Sequence, residues 1–342
     1  MSEKVLQNQV ESKKVKFNLK DVAFKYSIYL VLVVLTIAFS VLSPDFLGAA
    51  NLSNLFRQIP TVGILTVAYA MILITGNVDL SMGANAAFSG CVAAYLAVNG
   101  VNPVVSLGAA IIVGALWGLL NGVLITTFKL NSFILTLGTS YLIRGIILFL
   151  TNGIYIKGLP GWFYKISNII IGTPLIHTNT IVFIIIFIVI MYAMKNTRYG
   201  RYCYAIGSNK EASRLSGINV NRHIIKVFII EGILAAIAGI LLMSNINVGA
   251  PSEVNGPELY AMAGSIMGGV AFDGGVGTIG GAIVGIFTLQ VFQNGLAILG
   301  VNSFIQQAVT GAVIILAIVV DYFRRNGSLK IKKIIKKDSS KQ

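Results

Sequence analysis

Residues 80–128 read LSMGANAAFSGCVAAYLAVNGVNPVVSLGAAIIVGALWGLLNGVLITTF, and none of them is Asp, Glu, Lys or Arg. A second charge-free run covers residues 274–320. A helix needs about 20 apolar residues to cross the hydrocarbon core of a bilayer. Each run is long enough for two such helices and a tight turn. The turns are legible as Asn99-Gly100-Val101-Asn102-Pro103 and Gly300-Val301-Asn302-Ser303, polar glycine-bearing breaks in apolar sequence.

The rest of the chain follows the same pattern. Of 342 residues, 56% are hydrophobic and 11% charged, against roughly 25% charged in soluble domains. That excludes a disordered chain and a soluble globular enzyme. Hydropathy places further spans at 26–43, 61–76, 132–151, 180–194, 224–243 and 259–271, and divides the two charge-free runs into 84–98, 104–127, 276–294 and 303–320. The spans ending near Gly76 and Ala271 are short and interrupted by glycine. The expected fold is an all-α polytopic integral membrane protein with about ten transmembrane helices, some broken or re-entrant.

The net charge of +14, from 26 Lys and Arg against 12 Asp and Glu, collects in three places. These are an N-terminal arm (1–25), the segment 195–226 and a C-terminal tail (322–342). Cytoplasmic loops are enriched in Lys and Arg, so these regions and both termini are expected on the cytoplasmic side of a bacterial cell membrane. Arg57, Lys157 and Lys165 fall on the other side. A transmembrane domain then spans 26–321 and carries a cytoplasmic loop at 195–223. The tail lacks the interleaved aromatics and folded basic domain of a nucleic-acid partner. The arm lacks a small-residue cleavage site, so the first span is expected to be its own insertion signal. Cys91 and Cys203 make no disulfide framework. His177 and His223 are too few and too far apart for a metal site.

Catalytic motifs are missing. No Gly-x-x-x-x-Gly-Lys-Ser/Thr phosphate loop, Gly-x-Ser-x-Gly elbow or His-Glu-x-x-His pair occurs. Uphill transport would need energy from a partner or an ion gradient. Four ionisable residues remain at or within the membrane: Asp79, Arg144, Glu231 and Asp273. Such groups are functional candidates by default. Asp79 and Asp273 each follow a short apolar segment and precede a charge-free helical pair. This weak internal repeat is of the kind that marks an interior site or gate in transporters; both residues could equally cap broken helices. Asp79 is a candidate partner for Arg144. Glu231 could snorkel, or pair with Arg222 or Lys226. Gly277, Gly281 and Gly285 share one helical face, suited to close packing within one subunit or between two. The amides Asn121, Gln290, Gln293 and Asn294 either face a polar pathway or bond between helices.

Within the cytoplasmic loop, residues 209–217 read as a short capped helix. Asn209 is the N-cap, Glu211 suits the first turn and Gly217 the C-terminal cap. A helix this short needs outside contacts, from its own spans or from a docked partner.

Several motifs, in order along the chain, carry a resemblance. They are Thr75-Gly76-Asn77-Val78-Asp79-Leu80-Ser81-Met82-Gly83, Asn131-Ser132-Phe133-Ile134-Leu135-Thr136-Leu137-Gly138, Thr197-Arg198-Tyr199-Gly200-Arg201 with Ala205-Ile206-Gly207-Ser208-Asn209, Gly256-Pro257-Glu258-Leu259, Met267-Gly268-Gly269 and Asn294-Gly295-Leu296. Together the chain resembles the permease subunit of bacterial monosaccharide ATP-binding-cassette importers, the ribose, galactoside, xylose and arabinose branch. The resemblance implies a permease paired with a second copy or close paralogue, carrying no cofactor, catalytic residue or metal of its own. Cytoplasmic ATP-binding-cassette ATPases bind the ATP and dock on the loop helix, with Gly207, Asn209, Glu211, Ala212, Arg214 and Gly217 as coupling residues. An extracytoplasmic binding protein delivers the sugar, which passes along the permease interface. Asn77, Asp79, Ser81, Asn85, Asn121, Arg144 and Asn294 are the candidate pathway residues, since a neutral sugar needs hydrogen-bonding groups more than charges. The rivals are a similar permease for a nucleoside, inositol or furanone-like signal, and a secondary transporter using Asp79 and Arg144 as an ion relay. An integral-membrane enzyme is disfavoured for want of a catalytic cluster.

Overall fold

Both charge-free runs fold as helical hairpins. A computed structural model describes residues 27–252 and 256–326, and all regular structure among them is helical, apart from isolated bridges. The helices in chain order are α1 (Ser27–Leu42), a 3-10 turn at Pro44–Leu47, α2 (Ala49–Ile74), α3 (Met82–Val98), α4 (Pro103–Phe128), α5 (Ser132–Thr151), α6 (Gly161–Asn168) and α7 (Thr178–Asn196). They continue with α8 (Arg198–Ser208), α9 (Lys210–Leu215), α10 (Val220–Ile246), α11 (Pro257–Met267), α12 (Ile279–Ile298) and α13 (Ser303–Asn326). The N-terminal arm and residues 327–342 of the tail lie outside the described residues.

Among the described residues, six helices are long and apolar enough to cross a membrane: α2, α4, α5, α7, α10 and α12. Helices α1, α3 and α13 contain shorter apolar stretches. The 11 residues of α11 reach about 16 Å at 1.5 Å each, half the hydrocarbon thickness. This is the short element expected at 259–271.

The other short span, expected at 61–76, is instead the end of an unbroken 26-residue α2. Pro60 lies inside that helix. It has no N–H to offer the Phe56 carbonyl, a loss that usually breaks a helix. Neighbouring α7 compensates. The Thr180 hydroxyl donates to the Phe56 carbonyl at 3.4 Å, and the Asn179 amide to the Arg57 carbonyl at 2.8 Å.

Helix α2 is the axis of the bundle, 83% buried over its apolar window against 22% for α4. Helices α7, α10, α11 and α12 pack around it. Helix α10 in turn packs on α3 and α4. The α4–α10 seam depends on Gly114, Gly118 and Gly122, spaced four apart. A Cβ on Gly118 would overlap the Phe228 carbonyl, and one on Gly114 would lie 2.5 Å from the Gly232 carbonyl. Without a hydrophobic drive between helices in lipid, such close backbone contact supplies the attraction. Gly281 and Gly285 pack against Gly268 and Gly264 of the α11 end, so that glycine face serves contacts within the subunit.

The 195–223 loop holds two helices, not one. In α8, Tyr199, Cys203 and Ile206 recur at i, i+4 and i+7 and turn inward between arginines that stay outside.

Candidate functional site

A cavity of about 680 Å³ opens inside the bundle, between α2, α3, α10, α11 and α12. Its size falls in the roughly 300–1,000 Å³ range of ligand clefts. Helix α2 contributes Arg57, Gln58 and Thr61 to the wall. Asn245 comes from α10, Tyr260 from α11, and Gln290 and Gln293 from α12. Leu65, Ala86 and Ala238 are buried on its apolar side. Three polar atoms of this wall are buried without a hydrogen-bond partner: Arg57 Nε, Thr61 Oγ1 and Asn245 Oδ1. Both kinds of capacity are therefore free at the cavity, a donor and acceptors.

Most pathway candidates read from the sequence lie elsewhere. Asp79, Ser81 and Asn121 form one buried mesh. Asp79 Oδ1 accepts from the Ser81 N–H and hydroxyl, each at 2.6 Å. Asn121 Nδ2 donates to Ser81 Oγ at 2.8 Å and to Asp79 Oδ2 at 3.3 Å. The non-helical connector 75–81 is held further by α5, where Ser132 and Thr136 hydroxyls accept from the Val78 and Leu80 N–H groups. Non-helical backbone at membrane depth is tolerated only when buried and satisfied in this way. Asn77 donates to the hydroxyl of Thr75. Asn85 donates to the Gly114 carbonyl and accepts from Ser89. Asn294 and Asn51 exchange two bonds of 2.8 Å that tie α12 to α2.

The partner expected for Arg144 is also different. Arg144 pairs with Glu258, not Asp79, at 3.1 Å. Glu258 opens α11 beside Pro257, which lines the cavity, so the pair pins that wall to α5. Glu231 neither snorkels nor meets Arg222 or Lys226. It is buried at 1% exposure, its carboxyl within hydrogen-bonding reach of Asp79.

At the opposite end of α2, residues 209–217 fold as the short capped helix their sequence implies. Asn209 Oδ1 accepts from the Ala212 N–H at 2.9 Å and caps α9. Glu211 and Arg214 pair on the exposed face at 2.8 Å, and the Gly217 N–H closes the end on the Arg214 carbonyl. Leu215, missed in the sequence reading, is 88% exposed on this helix. Gly207 joins the segment to the bundle. A Cβ there would overlap the Ile74 carbonyl at the end of α2 and the Gly275 N–H in the α11–α12 connection. Gly275 itself donates to the Ile74 carbonyl at 2.9 Å. Three chain segments thus meet backbone to backbone. From Ile74 to Arg57 is 17 residues of helix, about 26 Å. On the inner face of α8, burial pushes the Cys203 thiol up to about 12; both cysteines are free.

Residues 51–318 match the family described as the permease component of branched-chain amino acid transport systems. The chain is 37% identical over 300 residues to the ribose import permease protein of Escherichia coli K12, covering 85% of this chain and 92% of the relative. It is 36% identical over 321 residues to the ribose import permease protein of Bacillus subtilis 168, covering 93% and 98%. It is 33% identical over 302 residues to an L-arabinose ATP-binding-cassette transporter permease protein of Azospirillum brasilense, covering 87% and 88%. No solved structure matches the chain.

Proposed function

Because this chain belongs to the family of permease components of branched-chain amino acid transport systems, and its relatives include ribose and arabinose permeases, we propose that it is the membrane subunit of an ATP-binding-cassette importer for a monosaccharide. The observation that carries the reading is the cavity wall with its unpartnered Arg57, Thr61 and Asn245 atoms. Among the described residues that wall contains amides, hydroxyls and one cation but no carboxylate. Such a wall suits the many hydroxyls of a neutral sugar. An amino acid would also demand an anionic partner for its ammonium group. The sugar path therefore runs inside one subunit in this account, through Arg57, Gln58, Asn245, Gln290 and Gln293. The mesh around Asp79 and Asn121 lies deeper.

Energy enters at the other end. A partner ATPase docks on α9, where exposed Leu215 offers an apolar anchor next to the Glu211–Arg214 pair. Movement of α8 and α9 reaches the Gly207 junction, which touches both α2 and the α11–α12 connection. These elements carry three of the polar walls of the cavity. The rest of the assembly is proposed on the same footing: ten membrane elements, counting α1, α3, α11 and α13 with the six long helices; both termini on the cytoplasmic side; a second copy of the permease; and an extracytoplasmic sugar-binding protein.

Reconstitution with the ATPase and binding protein tests this. Asn245→Ala with Gln293→Ala should lower ATP-driven sugar uptake at least tenfold, since each lost hydrogen bond is worth about 1 kcal/mol. ATPase association should be unchanged. Leu215→Asp should do the reverse, abolishing co-purification of the ATPase while the permease still folds. Normal uptake in the double cavity variant would overturn the assignment of the path.

A further inference from the structure

One turn below Leu65 on α2, and two turns below Ala238 on α10, four polar side chains converge: Tyr69, Asp79, Asn121 and Glu231. None exceeds 1% exposure. Hydrogen-bond donors are unevenly shared among them. Asp79 accepts from Ser81 twice and from Asn121 once. Among the described residues, none donates to Glu231. Both of its carboxylate oxygens are buried and unpartnered, as are Asn121 Oδ1 and the Tyr69 hydroxyl. The two carboxyl groups lie within hydrogen-bonding reach of each other, and the Tyr69 hydroxyl lies within the field of both.

The surroundings supply no positive charge to this pair. From α11 comes a third carboxylate, Glu258, which is committed to Arg144 of α5. The facing groups of α2 and α4 are Tyr69 and Asn121, both uncharged. Two like charges in contact at such depth are mutually excluded, and a buried charge without a counter-charge is strongly unfavourable. Asp79, with three donors, is the member equipped to stay ionised. Glu231, with none, is the member that needs a positive ligand.

We infer that Glu231 and Asp79 together bind one monovalent cation, a proton or a sodium ion, which joins α10 to the 75–81 connector beneath the cavity. The available donors are all oxygens, the set that hard cations take. A proton would bridge the two carboxyl groups. A sodium ion would add Asn121 Oδ1 to its shell. In either case the cation removes the repulsion that would otherwise push α10 off the connector. The inference does not depend on what the cavity carries or on ATPase docking.

Purified full-length protein in lipid nanodiscs provides the test, through infrared spectra and melting curves in sodium or choline chloride. If a proton is bound, the wild type has a buried carboxylic-acid C=O band that Glu231→Gln removes. If sodium is bound, the wild-type Tm rises with sodium and Glu231→Gln abolishes the response. In both cases Glu231→Gln keeps the Tm of the cation-loaded wild type, because its amide can donate to Asp79, and Glu231→Ala does not. The inference fails if the wild type has neither signal, if the signal survives in Glu231→Gln, or if Glu231→Gln melts well below the wild type.

Discussion

In α3–α4 and again in α12–α13 the helices join through Gly-Val-Asn, and the asparagine caps the second helix. Asn102 Oδ1 accepts from the Val104 N–H at 2.9 Å, and Asn302 Oδ1 accepts from the Phe304 N–H at 2.8 Å. The N–H of Val101 reaches Leu96, and that of Val301 reaches Leu296. Beyond the turns the two regions part. The connector before α3 is buried, with Asp79 at 0% exposure. Asp273, in the connector before α12, is exposed near Gly207 of α8. Helix α4 brings Gly118 against the Phe228 backbone of α10, whereas Gly311 of α13 faces open space and Phe304 is 78% exposed. A repeated local pattern therefore fixes the hairpin. Small residues four apart fix what the hairpin packs on. The first copy packs into the α10 seam, and the connector before the second lies next to the α8 segment around Gly207.

Breaking the helix seam should separate the two copies most sharply. Gly118→Leu drives a side chain into backbone and should cost more than about 3 kcal/mol, beyond ordinary overpacking, so folded protein should not accumulate in membranes. Gly311→Leu should leave its level unchanged. Next comes the junction. Gly207→Ala should lower sugar uptake more than tenfold while the ATPase still co-purifies, and Gly138→Ala, with nothing within 4 Å of its Cβ position, should transport normally. The connector aspartates should differ less. Asp79→Ala leaves the buried donors of Ser81 and Asn121 unsatisfied, at about 1–3 kcal/mol. Asp273→Ala, at an exposed carboxylate, should cost less than Asp79→Ala; thermal unfolding reads both. The smallest effect is the one in which the copies agree. Asn102→Ala and Asn302→Ala should each cost about 1 kcal/mol, and unequal losses would show that the two turns are not equivalent.

The hairpins, their turns and the Asn209 cap were legible in the sequence because each rests on composition or on residues within one turn of each other. The first third of α2 was not. The span expected at 61–76 leaves out Arg57 and Pro60, yet Asn179 and Thr180, more than 100 positions away, satisfy the carbonyls around the proline. Arg57 and Gln58, which line the cavity, fall outside that expected span. The partner of Arg144 lies 114 residues away, a distance that no spacing rule covers. Two signals were present but unused. Gly114, Gly118 and Gly122 recur every fourth residue. Glu231 shares a helical face with Val227, Phe228, Ala235 and Ala238, all buried, which points it inward and away from the basic residues at the start of α10.

The central claim is that a partner ATPase drives sugar through the cavity of this chain. Proteoliposomes holding the permease, its ATPase and the loaded binding protein measure it directly, by uptake of labelled ribose or arabinose with ATP supplied at the ATPase side. The account predicts uptake that requires ATP and all three components, and that Leu215→Asp abolishes. Uptake by the permease alone, driven by a proton or sodium gradient with no ATPase present, would contradict it.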